Sequence, residues 1–269
     1  MSASSHLTSV ERVGRAARWM TAAGAVLIAL SALAGPAAAQ TQERAAPPRL
    51  PADRPGLGDG AVALGTGVWM AELGGTIQAV VNDEYLFSDA LVRTGFAGVE
   101  MRLTVPSVHM RHGDEFLQLG DLGLGVKVPL DLGGAWWQWA ALGTLTLPTG
   151  SEFVSAGDPA LNATFIGQVE LAADADLVLN TGWGFVFGDF GGGSWSLIAT
   201  PTFPFPGREG VRFYVGYAGF IRSGHDDHIV EWGLTRMDGS DRQWDLNAGY
   251  DPGSHDWFLG VGVAARSAR

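Results

Sequence analysis

The chain has 269 residues, a formal net charge of −11, no cysteine, 39 glycines and 10 tryptophans, with only 17% charged residues. The lack of cysteine excludes thiol catalysis, disulfide staples and an acylated N-terminal cysteine, and the acidic balance argues against nucleic-acid partners. Glycine in a helix costs about 1 kcal/mol per position relative to alanine, so this abundance points instead to short strands of closed β architecture.

The first 39 residues read as a secretory signal peptide. Arg12, Arg15 and Arg18 precede an apolar core from Ala22 to Ala34, and Pro36-Ala37-Ala38-Ala39 offers a small-residue cleavage site. That core is too short for a spanning helix, which needs about 20 residues. Cleavage after Ala39 leaves 14 basic and 27 acidic residues, a charge of −13, with Lys127 as the one lysine. Residues 40–57 are proline-rich and aperiodic, and are expected to be an extended or disordered periplasmic tether. A barrel is expected over 58–265, with 266–269 as a C-terminal tail.

From Gly58 the pattern has a period of two. Val99, Met101, Leu103 and Val105 form one row; Glu100, Arg102 and Thr104 form the other. Strand geometry sends these rows to opposite faces. Leu122-Gly123-Leu124-Gly125-Val126-Lys127-Val128 repeats the alternation, as do Leu161–Leu171, Gln243–Tyr250 and Trp257–Ala264. Twelve strands are predicted, near 64–74, 85–94, 98–106, 120–130, 135–147, 160–171, 176–187, 194–203, 211–221, 228–237, 242–250 and 256–265. Most have the 9–12 residues that a tilted strand needs to cross a bilayer. The eighth is the least regular, because Pro201, Pro204 and Pro206 crowd its end.

Expected connections after even strands are short turns. Those after odd strands include the longer Ser107–Leu119 and Pro148–Pro159, the partial asymmetry of a bacterial outer-membrane barrel. Tryptophan and phenylalanine cluster at strand ends, as aromatic girdles would. The polar row is mostly Gly, Thr, Asn and Gln, which suits a narrow wet lumen better than an open surface. The expected fold is therefore all-β: a closed antiparallel up-and-down transmembrane β-barrel of about twelve strands in the Gram-negative outer membrane. Its partners would be outer-membrane lipid, lipopolysaccharide and the barrel insertion machinery. The competing fold is a soluble periplasmic β-sandwich that binds a ligand.

Several stretches together resemble the outer-membrane barrel family named for the meta-pathway of phenol degradation. They are Asp53-Arg54-Pro55-Gly56, Gly67-Val68-Trp69-Met70-Ala71-Glu72, Val99–Leu103, Leu119–Lys127, Leu147-Pro148-Thr149-Gly150-Ser151 with Gly157-Asp158-Pro159, and Asp256–Gly262. The resemblance covers 53–265 and implies a porin-like transporter, with aromatic or apolar cargo suggested by the family name alone. The chain departs from that pattern in closing on Ala264–Arg269 without a terminal aromatic.

By strand parity the lumen-facing charges are Glu72, Glu100, Arg102, Lys127, Glu170, Arg212, Glu231 and Asp245. They would either select solutes as a charged lining or neutralise one another and fill the barrel; Arg93 fits no clear parity. His225-Asp226-Asp227-His228 falls in an expected outer loop. Its residue types suit a divalent ion, but the spacing matches no metal signature, so a solvated loop is expected there, and likewise for His109, His112 and Asp114. No Gly-x-Ser-x-Gly elbow is present, and Gly191-Gly192-Gly193 lacks the lysine of a phosphate loop. The expectation is a passive channel with no enzymatic activity, cofactor or metal; the alternative is a filled barrel with a structural or surface-interaction role.

Overall fold

The computed structural model describes residues 50–80, 83–111, 117–133, 136–171, 174–188, 192–222 and 225–267. The expected signal peptide and the first ten tether residues lie outside this set, as do His112, Asp114 and Gly191. The strands are β1 Trp69–Val80, β2 Asp83–Phe96, β3 Val99–Val105, β4 Val108–Arg111, β5 Gln118–Leu119, β6 Leu122–Leu130, β7 Trp137–Leu147, β8 Ala160–Glu170, β9 Asp176–Val186, β10 Gly192–Pro204, β11 Val211–Arg222, β12 His225–Asp238, β13 Arg242–Tyr250 and β14 Trp257–Arg266. Each long strand pairs antiparallel with its sequence neighbours, and β1 pairs with both β2 and β14. The sheet thus closes on itself and leaves no edge, which is how an antiparallel sheet satisfies its backbone in lipid. The short β4 and β5 extend β3 and β6 beyond the ladder at Pro106 and Gly120, so the barrel has twelve strands.

Alternation sets the two faces. The row of Trp232 and Leu234 on β12, Trp244 and Leu246 on β13, and Trp257, Leu259 and Val261 on β14 is exposed on the outside. Such a contiguous apolar belt is not left in water. Aromatics mark both of its margins, with Trp69, Phe96, Trp136 and Phe205 at one end and Trp183, Trp195 and Trp257 at the other. The soluble sandwich is thereby set aside, because its apolar rows would face each other.

Turn chemistry pins the register. Ala97 and Gly98 both have positive φ, 50° and 86°, the pair of left-handed residues that a two-residue type I′ hairpin requires. Pro201 sits inside β10, where no N–H is available for a ladder; the β10–β11 pairing skips Thr200 and Pro201 and resumes at Thr202.

Two sequence expectations change. The first strand begins at Trp69 and not near 64, and residues 50–68 form a strap inside the barrel. The described part of the expected tether, 50–57, belongs to this strap, as do 58–68 of the expected wall. The reason is chemical: Leu50, Leu64 and Val68 supply an apolar row that packs inward on Met70 and Ala264, so their alternation imitated a wall strand. His225-Asp226-Asp227-His228 also starts a strand and is no loop; Asp227 pairs with Arg222, and His228 Nδ1 lies 2.8 Å from the Tyr217 hydroxyl.

Candidate functional site: the luminal strap and its charged cluster

Side chains of the wall partner the strap's backbone at several points, as the polar groups of a buried segment require. Glu72 of β1 accepts the Arg54 N–H at 2.9 Å, and Glu231 of β12 accepts the Leu57 N–H at 3.1 Å. Asn180 of β9 accepts from the Asp59 N–H (2.7 Å) and donates to the Asp59 carbonyl (3.0 Å). Gln168 of β8 accepts the Ala61 N–H at 3.0 Å, Glu100 of β3 accepts the Leu64 N–H at 2.9 Å, and Gln243 of β13 donates to the Arg54 carbonyl at 2.8 Å. At the end where the strap enters β1, Gly67 N–H bonds the Gly95 carbonyl and Gly95 N–H bonds the Val68 carbonyl. A Cβ at Gly95 would overlap the carbonyls of Leu64 and Gly65, so only glycine admits this close approach.

Asp53 is the strap's anchor. Its carboxylate lies 3.0 Å from Arg93, 2.6 Å from Arg102 and 3.1 Å from Lys127, and accepts the Gly60 N–H at 2.8 Å. Arg93 also reaches Glu72 (2.6 Å) and Glu100 (3.2 Å), and Arg102 reaches Asp59 (2.9 Å). Burial opposes ionisation of Asp53, but Lys127, Arg93 and Arg102 outweigh it and hold its carboxyl far below the ordinary range. At Asp59 burial prevails over the pull of Arg102, and the carboxyl is raised.

Arg54 makes a second node. Its guanidinium pairs with Asp89 of β2 and, at 3.3 Å, with Asp245 of β13. It lies against Gly74 and Gly262, which face each other across β1 and β14; a Cβ at either would overlap it. Asp53, Asp59, Glu72, Asp89, Glu100, Glu231 and Asp245 together outnumber Arg54, Arg93, Arg102 and Lys127 by three among the described residues of this cluster. Next to the strap lies a cavity of about 270 Å³, lined by Asp59, Asp89, Leu91, Arg102, Thr104 and Thr144 among others.

Of the residues singled out from sequence, Glu72, Glu100, Arg102, Lys127, Glu231 and Asp245 converge on this cluster. Arg212 sits apart and pairs with Asp176; Glu170 faces Asp176 across the β8–β9 ladder at the same end of the barrel. Arg93, left without a parity, points inward and is fully buried. Its row also contains Phe87 and Leu91, so polarity did not separate the faces of β2. Asp53 and Arg54 were missed because proline-rich sequence reads as a tether, and Asp59 because it precedes the first predicted strand near 64. An available signal was the surplus of inward acids, which calls for a cationic partner such as Arg54. His109 is engaged with Ser107 (2.5 Å) and stacks on Phe87.

No protein-family model matches the chain, and no curated protein matches it. Solved structures do. An outer membrane channel from Pseudomonas putida F1 aligns with a TM-score of 0.57 at 13% identity, over 76% of this chain and 97% of the other. The KdgM porin in complex with disordered oligogalacturonate gives 0.56 at 11% identity (74% and 99%), and the NanC porin 0.54 at 8% (72% and 98%). The exposed apolar belt and this likeness agree on the fold: the chain is a twelve-stranded β-barrel of the outer-membrane kind.

Proposed function

We propose that the barrel is a passive channel for small solutes, narrowed by the 50–68 strap. The observation that carries this reading is the lumen wall beyond the strap. There the inward row is rich in small residues, Thr76, Thr104, Thr144, Thr164, Ser194 and Ser196 with Gly123, Gly125, Gly182, Gly184 and Gly260, beside the larger Phe87, Asn162, Phe220 and Phe258. Small residues keep a twelve-stranded bore from filling, which larger ones would do. Their hydroxyls hold water along the path, and the charged cluster is the point where solutes are sorted. The fold likeness to proteins described as a channel and as porins supports the same reading. The aromatic or apolar cargo implied by the phenol meta-pathway resemblance would find Leu91 and Leu142 at the cavity. In the cell the barrel would sit among outer-membrane lipid and lipopolysaccharide, placed there by the insertion machinery.

A second reading, a filled barrel with a structural role, is favoured by the strap's many wall contacts. Planar-bilayer recording separates the two. Discrete conductance steps from the purified mature chain are expected; silence in every salt and solute, from protein shown by gel mobility to be folded, would establish the filled barrel.

A further inference from the structure

The cluster's bases are buried, while part of its acid is exposed. Arg93 and Lys127 have no exposed side-chain surface, Arg102 has 8% and Arg54 12%, and each is held by at least two carboxylates. Asp59 keeps 27% of its side chain exposed and Asp89 keeps 46%, and both line the cavity. Asp89 Oδ2 is the atom that pairs with Arg54, and Oδ1 is buried without a hydrogen-bond partner. At the cavity the acidic side chains are therefore more exposed than the basic ones.

The outer end has the same sign. Asp121, Asp158, Asp227, Asp251 and Asp256 lie there, and among the described side chains at that end the one arginine, Arg222, is already paired with Asp227. Fixed charge of one sign inside a low-dielectric wall focuses the field and enriches the opposite ion. We infer that the channel favours small cations over anions, with Asp59 and Asp89 as the selecting residues. The inference rests on the channel reading above.

The test is the reversal potential of the full mature chain in planar bilayers under a potassium chloride gradient. At about 0.1 M salt, where the screening length is roughly 10 Å, potassium should be preferred over chloride by roughly threefold or more; at about 1 M, where that length is roughly 3 Å, the preference should shrink. Asp89→Asn and Asp59→Asn should each lower the ratio toward one in barrels that retain folded gel mobility. Liposome swelling should be faster in lysine than in glutamate. A ratio of one or below at low salt overturns the inference for the wild-type chain, whatever the variants do. A cation preference untouched by both substitutions overturns the assignment to these residues. A membrane that never conducts refutes the channel itself, and the selectivity with it.

Discussion

Removing the charge of Asp53 tests the strap most directly. In Asp53→Asn the side chain keeps its shape and still accepts the Gly60 N–H, but Arg93, Arg102 and Lys127 lose the carboxylate that ties them to the strap. Breaking a buried ion pair from one side costs about 3–5 kcal/mol. Lys127 is the worst affected, because its other carboxylate, Glu100, is 3.8 Å away. The wall does not depend on Asp53, since its ladders run strand to strand. The cost therefore falls on docking of the strap. At about 1.4 kcal/mol per factor of ten, the undocked population should rise by roughly two to three and a half orders of magnitude. Chymotrypsin cleavage after Leu64 reads this population, because Leu64 is buried while the strap is docked, and mean bilayer conductance should rise in parallel. An Asp53→Asn barrel with wild-type conductance and wild-type resistance to chymotrypsin at Leu64 would refute the view that the anchor holds the strap in place.

Three further outcomes follow from the same geometry. Gly262→Val places a branched side chain where the Arg54 guanidinium lies; overpacking of this kind costs about 1–3 kcal/mol and should lower the temperature at which the barrel loses its folded gel mobility. Leu246→Arg puts a charge in the middle of the outward row of β13, where such a change costs about 2–4 kcal/mol at the bilayer midplane; urea titration in lipid vesicles should show that loss, whereas Thr164→Ser on the inward row should show little. The raised carboxyl of Asp59, set among Arg102, Lys127, Asp53 and Asn180, takes up its proton at a higher pH than an ordinary aspartate. Its negative charge is thus present at high pH and lost first on acidification, so cation preference should start to fall at a higher pH than an ordinary aspartate would set, and Asp59→Asn should flatten that fall.

The strand pattern was legible in the sequence because a barrel wall has a period of two and one face against lipid. Val99–Val105 and Trp257–Ala264 declare their outer row by residue type alone, and the expected strands 160–171, 176–187 and 242–250 end within one residue of β8, β9 and β13. The same parity brought Glu72, Glu100, Lys127 and Glu231 to the interior. Alternation is a local property, however, and it records only that two sides of a strand differ. It does not record which partner creates the difference. Leu64 and Val68 alternate because they pack on Met70 inside the barrel, and Arg93 shares its row with Leu91 because one neighbour is a carboxylate cluster and the next is a cavity. Asp53 and Arg54 become an anchor only when β2, β3, β6 and β13 surround them, up to 191 positions away in the chain. The sequence by itself determined a lipid-facing β wall with a polar interior; closure of the barrel around its own N-terminal segment decided which charges meet there, because that pairing depends on distance in space and leaves no period along the chain.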